Sequence, residues 1–210
     1  MKNNILKLIV NLVLPIIILT MVLLIVKSIV TPKQEKIMSL LQNPTNPVVK
    51  MNTSEGDIFI ELFQEKAPIT VENFLKYVKS NLYNQTIFHR VIYGFVIQGG
   101  GFDAEFNKLK TFKPIQNEAH NGIKNLAGTI AMARTNLPNS ATNQFFINLS
   151  DNFSLDFQNT VNYGYSVFGR VIDGDAVIDK IARSPVTTKF NYKNVPVNDI
   201  VINYLMLIEN

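Results

Sequence analysis

Residues 88–100 read FHRVIYGFVIQGG: one arginine, Arg90, set among aromatic and aliphatic side chains, with Gly94 and the Gly99–Gly101 run as punctuation. Short β-branched and aromatic runs bounded by glycine are strand signals, and three successive glycines mark a turn. Taken alone, Arg90 is a strand-edge arginine whose stem lies on apolar surface while its head reaches water. The same texture recurs on both sides. TIFHRVI (86–92), FVIQGG (95–100), TIAMA (129–133), QFFINL (144–149), YSVFGRVI (165–172) and DIVINYLMLIE (199–209) are short strand-like segments. VVKMNTSEGDIFIELF (48–63) reads as a hairpin with a Ser-Glu-Gly-Asp turn. Two segments have helical period instead. In APITVENFLKYVKSNLY (67–83), Pro68 stands near a helix start, Thr70 is the N-cap candidate, and Val71, Phe74, Leu75 and Val78 share a face. GDAVIDKIARS (174–184) is the second. Many strands with two widely separated helices predict a mainly β domain, a closed antiparallel barrel capped by two helices.

The N-terminal segment is different. LIVNLVLPIIILTMVLLIV (8–26) is interrupted only by Asn11, Pro15 and Thr20. As a helix rising about 1.5 Å per residue, it matches the roughly 30 Å hydrocarbon core of a bilayer. A cleaved secretory signal also starts with basic residues such as Lys2 and Lys7. Its apolar region is shorter, however, and it ends in an A-x-A-like site, whereas KSIVTPKQEK follows Val26. The organisation expected is a transmembrane signal-anchor at 1–30, a proline-punctuated linker at 31–47, in which 34–41 has some helical character, and a globular domain at 48–210.

The 210-residue chain has a formal charge of +4. That excess sits in the first 36 residues, which hold five lysines and one glutamate; the remainder carries fifteen basic and fifteen acidic side chains. A neutral domain lacks the basic face that nucleic-acid binding needs. There is no cysteine, hence no disulfide, thiolate nucleophile or thiolate metal site. The two histidines, His89 and His120, and Glu118 in NEAHNG match no metal or triad spacing, and no nucleotide fingerprint is present.

Three motifs, in this order, resemble the cyclophilin family: FHRVIYGFVIQGG, then GTIAMARTNLPNSATNQFFINLSDN (128–152), then YGYSVFGRVIDG (163–174). NEAHNGIKNLAGTIAMAR (117–134) is similar to its bacterial branch, and the resemblance runs from Val48 to the C-terminus. It implies a closed eight-stranded antiparallel barrel capped by two helices, and peptidyl-prolyl cis-trans isomerase activity without metal or cofactor. Arg90 takes the place of the catalytic arginine. Phe95, Val96 and Gln98 match the proline-binding groove, Ala133, Arg134, Gln144 and Phe146 the strand and loop that hold the peptide, and Leu155 and Tyr165 the far wall. The implied partners are proline-containing segments of proteins, not nucleic acid, and the domain is expected to be monomeric. Together with the 8–26 segment this implies a single-pass protein of a bacterial inner membrane with its domain in the periplasm. A non-catalytic module that captures proline-bearing partners in a membrane assembly is the alternative. The chain departs from the family pattern in two places. Val96 replaces a frequent methionine, and Ser154 stands where an aromatic is usual, with Phe153 beside it; strong cyclosporin binding is therefore not expected.

Overall fold

The computed structural model describes residues 14–16, 18 and 32–208. It divides into two compact units, Met1–Gln42 and Asn43–Asn210. In the first, residues 14–16 and 18 are helical, and α1 spans Pro32–Ser39, opening on a proline, which suits a first helical turn. Most of the 8–26 segment lies outside the described residues. Among those described, no helix is long and apolar enough to cross a membrane.

The second unit is built on β1 (Val48–Thr53), β2 (Gly56–Leu62), β3 (Thr86–Ile87), β4 (Arg90–Ile92), β5 (Val96–Gly99), β6 (Thr129–Met132), β7 (Phe145–Asn148), β8 (Val167–Asp173) and β11 (Val201–Ile208). They form one sheet in the order β3-β11-β1-β2-β8-β6-β7-β5-β4, and every pairing is antiparallel. Two strands outside this sheet, β9 (Val186–Lys189) and β10 (Tyr192–Pro196), make a separate hairpin. Helix α2 is Pro68–Lys79 and α3 is Asp175–Ala182.

The closed eight-stranded barrel expected from the sequence is not what forms. The sheet is an open half-barrel of nine strand segments, because TIFHRVI is not one strand. It breaks at Phe88–His89: β3 pairs with β11 and β4 with β5, so the two edges of the sheet are consecutive pieces of chain with no ladder between them. Phe88 N–H donates to Ile200 O at 3.0 Å at the break.

Side-chain alternation sorts the strands into a core face and an outer face. Ile97, Phe145, Ile147, Ile130 and Met132 point into the main core with Phe74, Tyr77, Tyr83, Phe88 and Phe168. Their neighbours Val96, Phe146 and Ala131 belong to a second apolar cluster with Phe63 and Val167, against which Phe95, Ala133, Leu155 and Tyr165 pack. Pairing register lines these positions up across the sheet: Arg90 faces Gln98, Gln98 faces Phe146, and Phe146 faces Ala131. The glycine run behaves as a turn. Gly100 has φ +80°, and a Cβ there would meet Tyr83 Cε1 at 2.8 Å and Phe145 Cε1 at 2.9 Å, so both conformation and space demand glycine.

Helix α2 is capped differently from the sequence reading. Its N-cap is Ala67, and Thr70 lies inside the first turn. The cap comes from 48 residues downstream, where the buried Glu118 carboxylate accepts hydrogen bonds from Ile69 N–H (3.1 Å), Thr70 N–H (2.8 Å) and Thr70 Oγ1 (2.6 Å). A carboxylate there also opposes the positive end of the helix dipole. Glu118 thus has a structural role, buried at the start of α2.

Candidate active site

The outer face of β5, β6 and β7 opens into a cavity of about 290 Å³ lined by Arg90, Phe95, Val96, Gln98, Ala133, Arg134, Phe146, Leu155 and Tyr165. Nine of the ten site residues expected from the sequence therefore share one cavity. The tenth, Gln144, lines a neighbouring cavity and is tied to the first by hydrogen bonds. Arg90 Nη1 donates to Gln98 Oε1 at 3.1 Å, and Gln98 Nε2 donates to Gln144 Oε1 at 2.9 Å. This relay spans β4, β5 and the entry to β7, and limits where the guanidinium can point. Burial pulls the Arg90 pKa below its ordinary value, a tendency that Tyr165 opposes. An arginine starts so high that it remains a cation at any working pH.

The apolar walls are held in defined positions. Phe146 and Tyr165 meet edge to face, with ring centroids 5.5 Å apart. Arg134 is part of the wall: its Cζ lies 4.6 Å from the Tyr165 ring centroid, its Nε donates to Gly164 O at 2.8 Å, and its Nη1 donates to Thr135 O at 2.8 Å. Val96 lines the cavity where a longer side chain is frequent. Phe153 does not substitute for the missing aromatic beside Ser154: it is 60% exposed and, like Ser154, absent from the cavity lining. One side of the pocket is therefore open.

Sequence reasoning missed the polar network behind these walls. Asn152 Nδ2 donates to Phe95 O (3.0 Å) and Asn148 Oδ1 (2.8 Å), Asn125 Nδ2 donates to Leu155 O (3.1 Å), and Asp156 Oδ1 accepts from Asn125 N–H (2.8 Å). Asn125, Asn148, Asn152 and Asp156 are all buried. Buried polar groups persist only when paired, and here their partners are the backbones of two pocket residues. The signal available was the asparagine density of KNLAG and INLSDN.

His89 is buried beside the site and packs edge-on against Phe102, with centroids 4.8 Å apart. Burial pushes its imidazole down to about 4, with the Arg90 charge pushing the same way, while the nearby Ile87 backbone and Gln144 side chain favour the charged form. The ring is therefore neutral at pH 7 and adds no positive charge beside Arg90. Because the folded value lies below the ordinary 6.5, the unfolded chain binds the proton first as pH falls. Stability from this group is complete above about 6.5 and is lost between there and about 4, by roughly 3 kcal/mol. Urea unfolding at pH 7.5 and pH 4 should show this drop on top of that seen in a His89→Asn variant; equal drops in the two proteins would contradict it. Among the described residues, no group of three or more His, Cys, Asp or Glu is placed to hold a metal ion.

An antiparallel half-barrel whose outer face gathers the Arg90 and Arg134 guanidiniums with Phe95, Val96, Phe146, Leu155 and Tyr165 in one partly open cavity is a site suited to an apolar ring beside a charged hydrogen-bond donor. Comparison with known proteins gives this class its identity. The family model described as cyclophilin type peptidyl-prolyl cis-trans isomerase/CLD matches residues 48–205. The chain is 53% identical over 157 residues to a peptidyl-prolyl cis-trans isomerase of Acinetobacter baylyi, covering 75% of this chain and 83% of the relative. It is 48% identical over 164 residues to peptidyl-prolyl cis-trans isomerase B of Escherichia coli, covering 77% of this chain and all of the relative. A crystal structure of a Cryptosporidium parvum cyclophilin type isomerase in the presence of the dipeptide Ala-Pro superposes with a TM-score of 0.63 at 28% identity, over 78% of this chain and 99% of that one. The chain belongs to the cyclophilin type peptidyl-prolyl cis-trans isomerase family, and peptidyl-prolyl cis-trans isomerisation is its activity.

Proposed function

We propose that the cavity under Arg90 holds the prolyl ring, that Arg90 is the catalytic donor, and that the clients are proline-containing segments of exported or membrane-proximal proteins. The X-Pro bond prefers trans by only about 0.5 to 1 kcal/mol, yet it turns over tens to hundreds of seconds because rotation breaks amide resonance. At the twisted transition state the prolyl nitrogen regains its lone pair and becomes a hydrogen-bond acceptor. A fixed guanidinium donor then binds the transition state more tightly than either planar isomer, which is differential binding by a preorganised charge. Phe95, Val96, Phe146 and Leu155 clamp the ring, while Gln98, Gln144 and the backbone around Ala133 and Arg134 hold the preceding chain. One end of the bond is thereby fixed and the other swings.

The observation carrying this reading is the convergence of Arg90, held by the Gln98 relay, with four apolar side chains in one cavity. A protease-coupled assay of an Ala-Pro peptide with the full-length chain tests it: acceleration that a proline-bearing competitor suppresses is expected, and acceleration untouched by such a competitor would oppose it.

Residues 8–26 are the proposed anchor of this domain to a bacterial inner membrane, with the domain facing the periplasm. The support for the anchor is the apolar composition of the run. The intact chain should stay with membranes through a carbonate wash and be fully released by detergent; release by carbonate alone would contradict the anchor.

A further inference from the structure

A second cavity, of about 260 Å³, adjoins the prolyl pocket and shares Arg90 and Gln98 with it, Gln144 standing on its own lining. A peptide that places a proline under Arg90 therefore presents a flanking residue to this second space. The cavity's remaining walls come from two elements with no part in the prolyl pocket. Lys108 belongs to the loop bridged to Phe102, and Tyr192 and Lys193 lie on β10. No aspartate or glutamate lines it. Neither lysine is ion-paired to a described carboxylate, whereas Lys189 on the adjoining strand is paired with Asp199 at 2.9 Å.

Three cations thus line a space with no carboxylate in its lining, in a domain whose basic and acidic side chains balance. The hairpin that carries Tyr192 and Lys193 is shaped by its turn and by ring contacts. The β9–β10 turn carries Phe190 and Asn191 at φ +50° and +67°, and two left-handed residues in succession make the tight two-residue turn that joins Lys189 to Tyr192. For Phe190 that conformation is strained and needs support, which ring contacts supply: Phe190 lies 5.0 Å from Phe106, and Tyr192 lies 5.5 Å from Phe106 and 5.1 Å from Phe102. The neutral, buried His89 closes the cavity from within.

We propose that this cavity is a second client subsite, selective for a carboxylate side chain, aspartate or glutamate, within a few residues of the isomerised proline. The proposal rests on the prolyl reading of the adjoining pocket. A mixed apolar and cationic lining suits such a side chain, its methylenes on Phe102 and Tyr192 and its charge toward Lys108 and Lys193.

The test uses the full-length chain and pairs of Ala-Pro peptides that differ only by Glu or Gln at each of the three positions on either side of the proline. At low salt the Glu peptide should be favoured in kcat/KM by about 3- to 10-fold at one or more positions, as expected for partly shielded ion pairs. The ratio should approach one in 0.5 M salt and in the Lys108→Gln/Lys193→Gln double variant. Anisotropy of the same peptides carrying a dye reads the preference as binding, independently of turnover. Equal handling of Glu and Gln at every position, or a preference that survives in the double variant, would overturn the subsite. Failure of the wild-type chain to turn over the Gln peptides would instead count against the prolyl reading itself.

Discussion

Arg90→Ala should lower kcat/KM toward an Ala-Pro peptide by about 10²- to 10³-fold, the cost of removing one preorganised donor aimed at charge that develops only in the transition state. Arg90 has no competing structural duty of comparable size. Among the described residues its one side-chain hydrogen bond goes to Gln98, its guanidinium stands 5.9 Å from the Phe95 ring centroid, and it is only half-buried, so the variant should fold. Arg90→Lys should recover a small part of the loss. An ammonium keeps the charge, but it lacks the planar fork that bonds Gln98 with one nitrogen while leaving others for the substrate. A protease-coupled or exchange-NMR rate at matched protein concentration checks both variants. A rate within threefold of wild type for Arg90→Ala would remove this residue from the mechanism.

The second large effect falls on stability. Phe145→Ala should destabilise the domain by about 3 to 5 kcal/mol, read as a lowered urea midpoint with little change in slope. Phe145 is fully buried, and its ring meets three others edge to face: Tyr83 at 5.5 Å, Phe74 at 5.7 Å and Phe88 at 6.2 Å. Its strand neighbours Gln144 and Phe146 carry the site on the opposite face. Phe145→Leu, which keeps much of the volume, should cost well under half as much. Similar losses for both substitutions would mean that the ring contacts, and not the volume, hold this layer together.

The groove was legible through the resemblance of three motifs to the cyclophilin family, which marked residues of FVIQ, TIAMA and QFFIN that line the cavity in the structure. Residue pattern alone gave the strands but not which of their side chains face the cavity, since TIAM and FFIN are buried throughout. The glycine run at Gly99–Gly101 and the two helices were equally plain. The misses have specific causes. TIFHRVI looks like one strand because its composition is uniform, yet its halves pair with partners at opposite edges of the sheet, information held in β5 and β11. The β9–β10 hairpin gave no Asn-Gly or Asp-Gly signal, since its turn uses Phe190 and Asn191 and is held by aromatic contacts distant in sequence. The α2 cap was assigned to the nearest threonine, although the acceptor that fills that role is Glu118, in another segment. Cyclophilin motifs marked Arg90 and its groove, but the lysine-lined space beside them depends on a loop and hairpin that no motif covers.

The most direct test of the account is exchange NMR on a saturating Ala-Pro peptide, measuring affinity and the on-enzyme cis/trans rate separately for wild type and Arg90→Ala. If Arg90 acts on the twisted bond, the variant should bind the peptide within about threefold of wild type while the on-enzyme rate falls by about two orders of magnitude. Weakened binding with an unchanged on-enzyme rate would contradict this and make Arg90 a residue that only holds the substrate.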